Sequence, residues 1–146
     1  MKLVVDSNIL FTFFGKNSML RNILSKKNIQ LYAPKYTLKE IDKYREEIRR
    51  KTKITQEEFK EIKAELKIKI QFIALGEYPN FLKEVKLTKE ITQGENEEIP
   101  SDIDFLAFAI KFKYPLWSND SLLKKQKQVT VITTKEIIEI LDENYE

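Results

Sequence analysis

Asp6, Asp102, Asp104 and Asp120 sit at the ends of apolar stretches, where a carboxylate can do chemistry without losing its support. Asp6 closes the run Leu3-Val4-Val5, Asp102 and Asp104 open the stretch PSDIDFLAFAIKF, and Asp120 follows Leu116-Trp117-Ser118. The 146-residue chain has neither cysteine nor histidine. Disulfides, zinc-thiolate sites, haem ligation, Cys nucleophiles and His-based triads are therefore excluded together. The remaining chemistry uses oxygen ligands or lysine. Acids that converge without a basic partner repel one another and rise in pKa, so a site built from them makes physical sense as a cage for a hard cation. Mg²⁺ or Mn²⁺ is the implied cofactor.

The elements that must hold these acids are legible in the apolar spacing. Lys2 to Val5 reads as a buried first strand with Asp6 at its carboxyl end. Ile9 to Phe14 and Met19 to Lys26 read as short covering segments. Ile29 to Ala33 reads as a second strand closed by Pro34. From Thr37 the spacing predicts one long amphipathic helix toward Arg50, with Leu38, Ile41, Tyr44 and Ile48 on one face and Glu40 in its first turns. Thr55 and Glu58 make a capping box that opens a helix through Leu66, and the alternation from Lys67 to Phe72 predicts a strand. Tyr78 to Ile91 is expected to be helical and Thr92 to Glu98 a loop.

Ser101 and Asp104 form a second capping-box match, which starts a helix at Ser101 with Phe105, Leu106, Ala109 and Ile110 at helical spacing. Leu116 to Ser118 is the short apolar run of a buried parallel strand. A helical turn, a strand at Val129 to Ile132 and a last helix from Thr134 complete the chain. Strands separated by helices predict an α/β fold with a parallel sheet covered on both faces. In such sheets ligands bind at the carboxyl ends of strands where the connections diverge. If the first strand and the Leu116 strand are neighbours, Asp6 and Asp120 converge there and Asp102 reaches the same crevice.

Length and the 42% hydrophobic content suit one globular domain, residues 1–146. The formal charge of +3 permits a polyanionic partner without demanding one. The N-terminal MKLVVDSNIL is neither a signal peptide nor a membrane span, because Asp6 cuts its apolar run short. The expectation is a cytoplasmic protein with no membrane partner. The basic run Arg45, Arg49, Arg50, Lys51 and Lys53 has two readings, a track for a phosphate backbone and a solvated helix face, and the interleaved Glu46 and Glu47 favour the second.

The combination of VVDSN, the PKYTLKEI helix, the DIDFLAFAI helix and the closing PLWSND resembles the PIN domain family of metal-dependent ribonucleases, in the right order across essentially the whole chain. The resemblance implies a three-layer α/β/α sandwich with a parallel five-stranded sheet in order 3-2-1-4-5. It implies Asp6, Glu40, Asp102 and Asp120 as catalytic and metal-binding residues. Ser118 falls at the small hydroxyl position before the last acid, Asn8 at the polar position of the first motif, and Asp104 is a helix cap that can support the ligands. The activity implied is hydrolysis of RNA phosphodiester bonds by two-metal chemistry. The partners implied are single-stranded or loop RNA, a second copy of the chain as a homodimer, and, by likeness to VapC-type toxins, an antitoxin protein.

A PIN-fold protein that binds RNA or protein without turnover is the alternative from another class. A receiver-like phosphoacceptor domain shares the strand-end acid but lacks the paired acid after strand one and the late lysine. A glycine-rich phosphate loop cannot be built from Gly15, Gly76 and Gly94.

Overall fold

The computed structural model describes residues 1–25, 28–74 and 99–144, with the backbone alone for residues 99–104, 107, 143 and 144. The expected helix at Tyr78 to Ile91 and loop at Thr92 to Glu98 lie outside the described residues. The chain forms β1 (Lys2–Val5), α1 (Ser7–Phe11), a 3₁₀ turn (Thr12–Phe14), α2 (Met19–Leu24) and β2 (Gln30–Pro34). Then follow α3 (Thr37–Lys43), α4 (Arg45–Thr52), α5 (Gln56–Lys69) and β3 (Ile70–Ile73). The last described elements are α6 (Ile99–Phe112), β4 (Leu116–Trp117), α7 (Ser121–Lys124), β5 (Val131–Ile132) and α8 (Thr134–Asn144).

All strand pairs are parallel, and the five-stranded sheet runs β3-β2-β1-β4-β5. The strand period of two sends Leu3, Val5, Leu31, Ala33 and Trp117 into a core with α1, α2, α5 and α8, while Val4, Tyr32 and Leu116 pack with Phe105, Phe108 and Leu123 of α6 and α7. A sheet buried on both faces needs strands that are apolar on both faces, and Leu3, Val4 and Val5 of β1, all buried, meet that demand. The result is the three-layer α/β/α sandwich the sequence predicts.

Of the element boundaries that differ from the sequence reading, three change how a helix is packed, capped or ended. The helix from Thr37 is not continuous to Arg50 but breaks at Tyr44, where φ is −98° and ψ is 16°. Ile41 and Ile48 are buried on either side of the break, whereas Tyr44 is 37% exposed and packs edge-on against Phe11. The expected common face of Leu38, Ile41, Tyr44 and Ile48 is therefore split, because the kink turns Tyr44 away from the core.

The second difference is at Lys67 to Phe72. The helix continues to Lys69 and the strand begins only at Ile70, leaving Ile68 85% exposed. Lys67 and Lys69 in the last turn suit the negative end of the helix dipole, which outweighs a short alternation. Third, α6 starts at Ile99, two residues before Ser101. Ser101 is thus inside the first turn rather than at the N-cap, and the Ser101/Asp104 capping box is not the start of this helix. Pro100 is tolerated there because the first-turn N–H groups have no partner within the helix.

The capping box at Thr55 and Glu58 is present, with the Thr55 hydroxyl accepting from the Glu58 N–H at 3.1 Å and the Glu58 carboxylate accepting from the Thr55 N–H at 3.0 Å. Thr55→Ala is expected to destabilise the protein by about 1 kcal/mol, with a shift of the denaturant midpoint and an unchanged slope as the readout.

Candidate active site

Asp6 lies one residue past β1, and its side chain is 5% exposed. Two local demands hold it there. Its N–H donates to the Trp117 carbonyl at 3.3 Å, continuing the β1–β4 ladder, and its Oδ1 accepts from the Ile9 N–H at 2.9 Å as the N-cap of α1. Asp6 is thus an N-cap, and that bond does not exhaust the side chain, since a carboxylate has lone pairs to spare after one cap bond.

Val5 of β1 pairs with Trp117 of β4, so one further step in register sets Asp6 opposite Ser118. Ser118 is fully buried; its hydroxyl donates to the Asp6 carboxylate and accepts from the Asp120 N–H at 3.1 Å. Asp120 in turn N-caps α7, its Oδ1 accepting from the Leu122 N–H at 2.9 Å. One hydroxyl therefore ties the two strand-end acids together.

The loop that carries Asp120 is fastened at its other side. The Ser118 N–H donates to the Ile132 carbonyl at 3.1 Å, and Asn119 both donates to Thr134 Oγ1 and accepts from the Thr134 N–H at 2.9 Å. Trp117 Nε1 donates to the same Thr134 hydroxyl at 2.9 Å.

Burial pushes the Asp6 carboxyl above its ordinary value; hydrogen bonds from Ser118 and the Ile9 N–H oppose that shift, and the nearby Asp120 charge adds to it. Among the described residues no Lys or Arg forms an ion pair with either acid. Ser118→Ala removes a buried donor and a buried acceptor at once. It is expected to lower stability by about 1–2 kcal/mol and to raise the Asp6 pKa further, the first read by urea unfolding and the second by carboxyl NMR titration.

Glu40 is half-buried on α3, which begins at the carboxyl end of β2, the neighbour of β1. It is the middle of a row, Tyr36-Glu40-Tyr44, at intervals of four that share one side of a helix. Tyr36 packs on Phe105 of α6 with ring centroids 6.1 Å apart, and Tyr44 packs on Phe11 of α1 at 5.8 Å. The Glu40 flank of α3 thus spans from α6 to α1, the helix that Asp6 caps. The opposite flank turns to α5, where Asp42 pairs with Lys63 at 2.5 Å.

Asp102 and Asp104 occupy the first turns of α6, and their side chains lie outside the described part of the structure. Asp102 precedes Phe105 by three residues, so its backbone is about one turn from the Tyr36 contact. Asn8 is exposed in the first turn of α1. The described side chains accordingly bring together Asp6, Ser118 and Asp120, with Glu40 on an adjoining helix. No group of three carboxylates gathers among the described residues.

Sequence reading missed the two tyrosines that bracket Glu40. The repeat Tyr36-x-x-x-Glu40-x-x-x-Tyr44 is visible in the chain, but the expectation of a buried Tyr44 concealed it.

Among the described residues no helix is long and apolar enough to cross a membrane. No curated protein matches the chain. The profile of the PIN domain family matches residues 4–141. The match runs from β1 into α8, and the fold is of the nuclease type. A parallel sheet in this order, with acids at the ends of its two central neighbours and a match along nearly the whole sequence, leaves one assignment: the chain belongs to the PIN domain family.

Proposed function

We propose that the protein is a metal-dependent endoribonuclease in which Asp6, Glu40, Asp102 and Asp120 form the active site around Mg²⁺ or Mn²⁺. The observation that carries this reading is the Asp6–Ser118–Asp120 arrangement. The Ser118 hydroxyl holds the Asp6 carboxylate to the Asp120 backbone N–H at adjacent strand ends, so that the Asp120 charge acts on a buried Asp6 raised in pKa, with no cation paired to either acid among the described residues. A divalent cation relieves both the repulsion and the desolvation, and a donor set made only of oxygen suits a hard ion.

The chemistry such a cation supplies when bound is Lewis-acid polarisation of the scissile phosphate and of an attacking water. The chain's own part is positional. Asp6 and Asp120 each commit one oxygen to a helix N–H, which fixes the carboxylate plane and leaves lone pairs for a ligand. Ser118 donates to Asp6 and so favours its ionised form, the form that binds cations. Asp102 is assigned the third ligand position. Glu40 is assigned to orient water or to complete the ligand set from the α3 flank.

Substrate on this reading is single-stranded or loop RNA, whose bases and backbone are open to contact. Used as a toxin, the same site would be held off by an antitoxin segment lying in the crevice, and growth arrest that requires Asp6 is the sign of that role. The test is cleavage of labelled single-stranded and structured RNAs with Mg²⁺, Mn²⁺ or EDTA. RNA cut with either metal and spared by EDTA is the expected result. Metal binding with no cleavage of any strand would assign the protein to a binding module instead.

A further inference from the structure

We propose that Tyr44, braced by Phe11 and flanked by Lys43, is a stacking platform for an unpaired base of the strand that enters the carboxylate crevice. The inference deepens the nuclease reading and rests on it.

Tyr44 is the one aromatic among the large hydrophobic residues exposed in the described structure; the others are Met1, Met19 and Ile68. An exposed ring on a loop would be a weak platform, but this one is mounted firmly. Tyr44 joins two helices, its N–H donating to the Glu40 carbonyl at 3.0 Å and its carbonyl accepting from the Ile48 N–H at 2.9 Å. Phe11 meets the ring at an interplanar angle of 64°, an edge contact that supports it without requiring both of its faces. The Lys43 ammonium lies over the ring, 5.4 Å from its centroid, on a flexible four-carbon stem that a stacking base can displace toward its own phosphate.

Position and charge select the occupant. Tyr44 is one helical turn beyond Glu40, a spacing of about 6 Å between Cβ atoms. A base on this ring is therefore within a nucleotide's reach of the acid flank. The acids of α4 are already matched, Glu46 to Arg49 and Glu47 to Lys51, each at 3.1 Å. Lys35, Lys39, Lys43, Arg45, Arg50 and Lys53 have no carboxylate partner among the described residues. Lys39 and Lys43 repeat at four residues beside the Tyr36-Glu40-Tyr44 row. An aromatic face with cations along its border is what a single-stranded nucleic acid requires: π-stacking for the base and positive charge for the phosphates. The basic run, read from sequence as a solvated face, thus acquires a partner on the side nearest the acids.

The other aromatic group, Tyr32, Phe108, Phe112 and Tyr114, packs largely on itself. It also lies beside Lys2, at the amino end of the sheet and away from the acids.

Binding of a labelled single-stranded oligoribonucleotide in EDTA, with one abasic site moved along the strand, tests the proposal. Tyr44→Ala is expected to weaken binding roughly ten-fold, and Tyr44→Phe, which keeps the ring, to stay within about two-fold of wild type. One abasic position should weaken binding to wild type and have no effect on Tyr44→Ala. A Tyr44→Ala variant that binds as wild type, or that keeps the full abasic penalty, overturns the platform while leaving the nuclease reading intact. Normal RNA binding with altered self-association would reassign the ring to a protein interface and overturn it equally. A wild-type protein that neither binds nor cuts any strand removes the nuclease reading and this inference together.

Discussion

Asp6→Asn is expected to abolish RNA cleavage, by roughly 10³-fold or more, while the metal-free protein becomes no less stable. A bound Lewis acid contributes several kcal/mol of transition-state charge stabilisation, and about 4 kcal/mol is three decades of rate. The substitution removes the negative charge that attracts the ion but leaves the structural role intact, since an amide oxygen can still accept from the Ile9 N–H. The sign of the stability effect follows from burial. The folded protein holds the Asp6 pKa above its unfolded value, so the fold binds the proton more tightly than the unfolded chain does. Stability from this group is therefore greatest in acid and falls as pH rises from the unfolded pKa through the folded one. At neutral pH the full desolvation cost is present, and the neutral amide removes it. Thermal unfolding in EDTA at neutral and at acid pH reads this directly. The variant should match or exceed wild type at neutral pH, with the advantage shrinking in acid. Full metal-dependent cleavage by Asp6→Asn would sink the assignment of the site, and a collapse of stability would recast Asp6 as a structural cap.

Addition of Mg²⁺ or Mn²⁺ is expected to raise the melting temperature of wild type, because an ion that binds only the folded state stabilises it by mass action. At a concentration one hundred times the dissociation constant the gain is about 2.7 kcal/mol, on the order of 5–10 °C for a chain of this size. The same addition should move Asp6→Asn far less. This result does not depend on finding the right RNA, so it separates the metal site from substrate choice. Equal shifts in wild type and Asp6→Asn would place the ion elsewhere, and the absence of any shift with either ion at millimolar concentration would remove the carboxylate cage.

The candidate site divides between what neighbours in sequence dictate and what the fold assembles. Asp6 and Asp120 announce themselves because each ends an apolar run that is long enough for a buried strand and then caps a helix, and both are facts of local spacing. Glu40 has no such local mark. Its place depends on the side of α3 that Tyr36 and Tyr44 turn toward α6 and α1, which is settled by packing between helices. The misplacement of Tyr44 has the same origin: periodicity assigned it to the face of Ile41 and Ile48, and a break in the helix, invisible to periodicity, took it to the surface. Lys67 to Phe72 went the other way, a two-residue alternation outweighed by the continuation of a capped helix whose Leu66 is buried in the core.

The amino-acid sequence by itself determined the α/β class, the order of strands and helices around the acids, the exclusion of thiol and imidazole chemistry, and the oxygen-only character of any metal site. These follow from residue types and from periods of two and 3.6, which act over a few neighbours. Only the tertiary structure decided that Ser118 bridges Asp6 and Asp120, that burial raises the Asp6 pKa, and that Tyr44 stands exposed beside Glu40. The first links strand ends far apart in the chain, and the other two depend on what the rest of the fold packs around Asp6 and Tyr44. Strand register, desolvation and helix packing are set by the whole fold, and no local pattern encodes them.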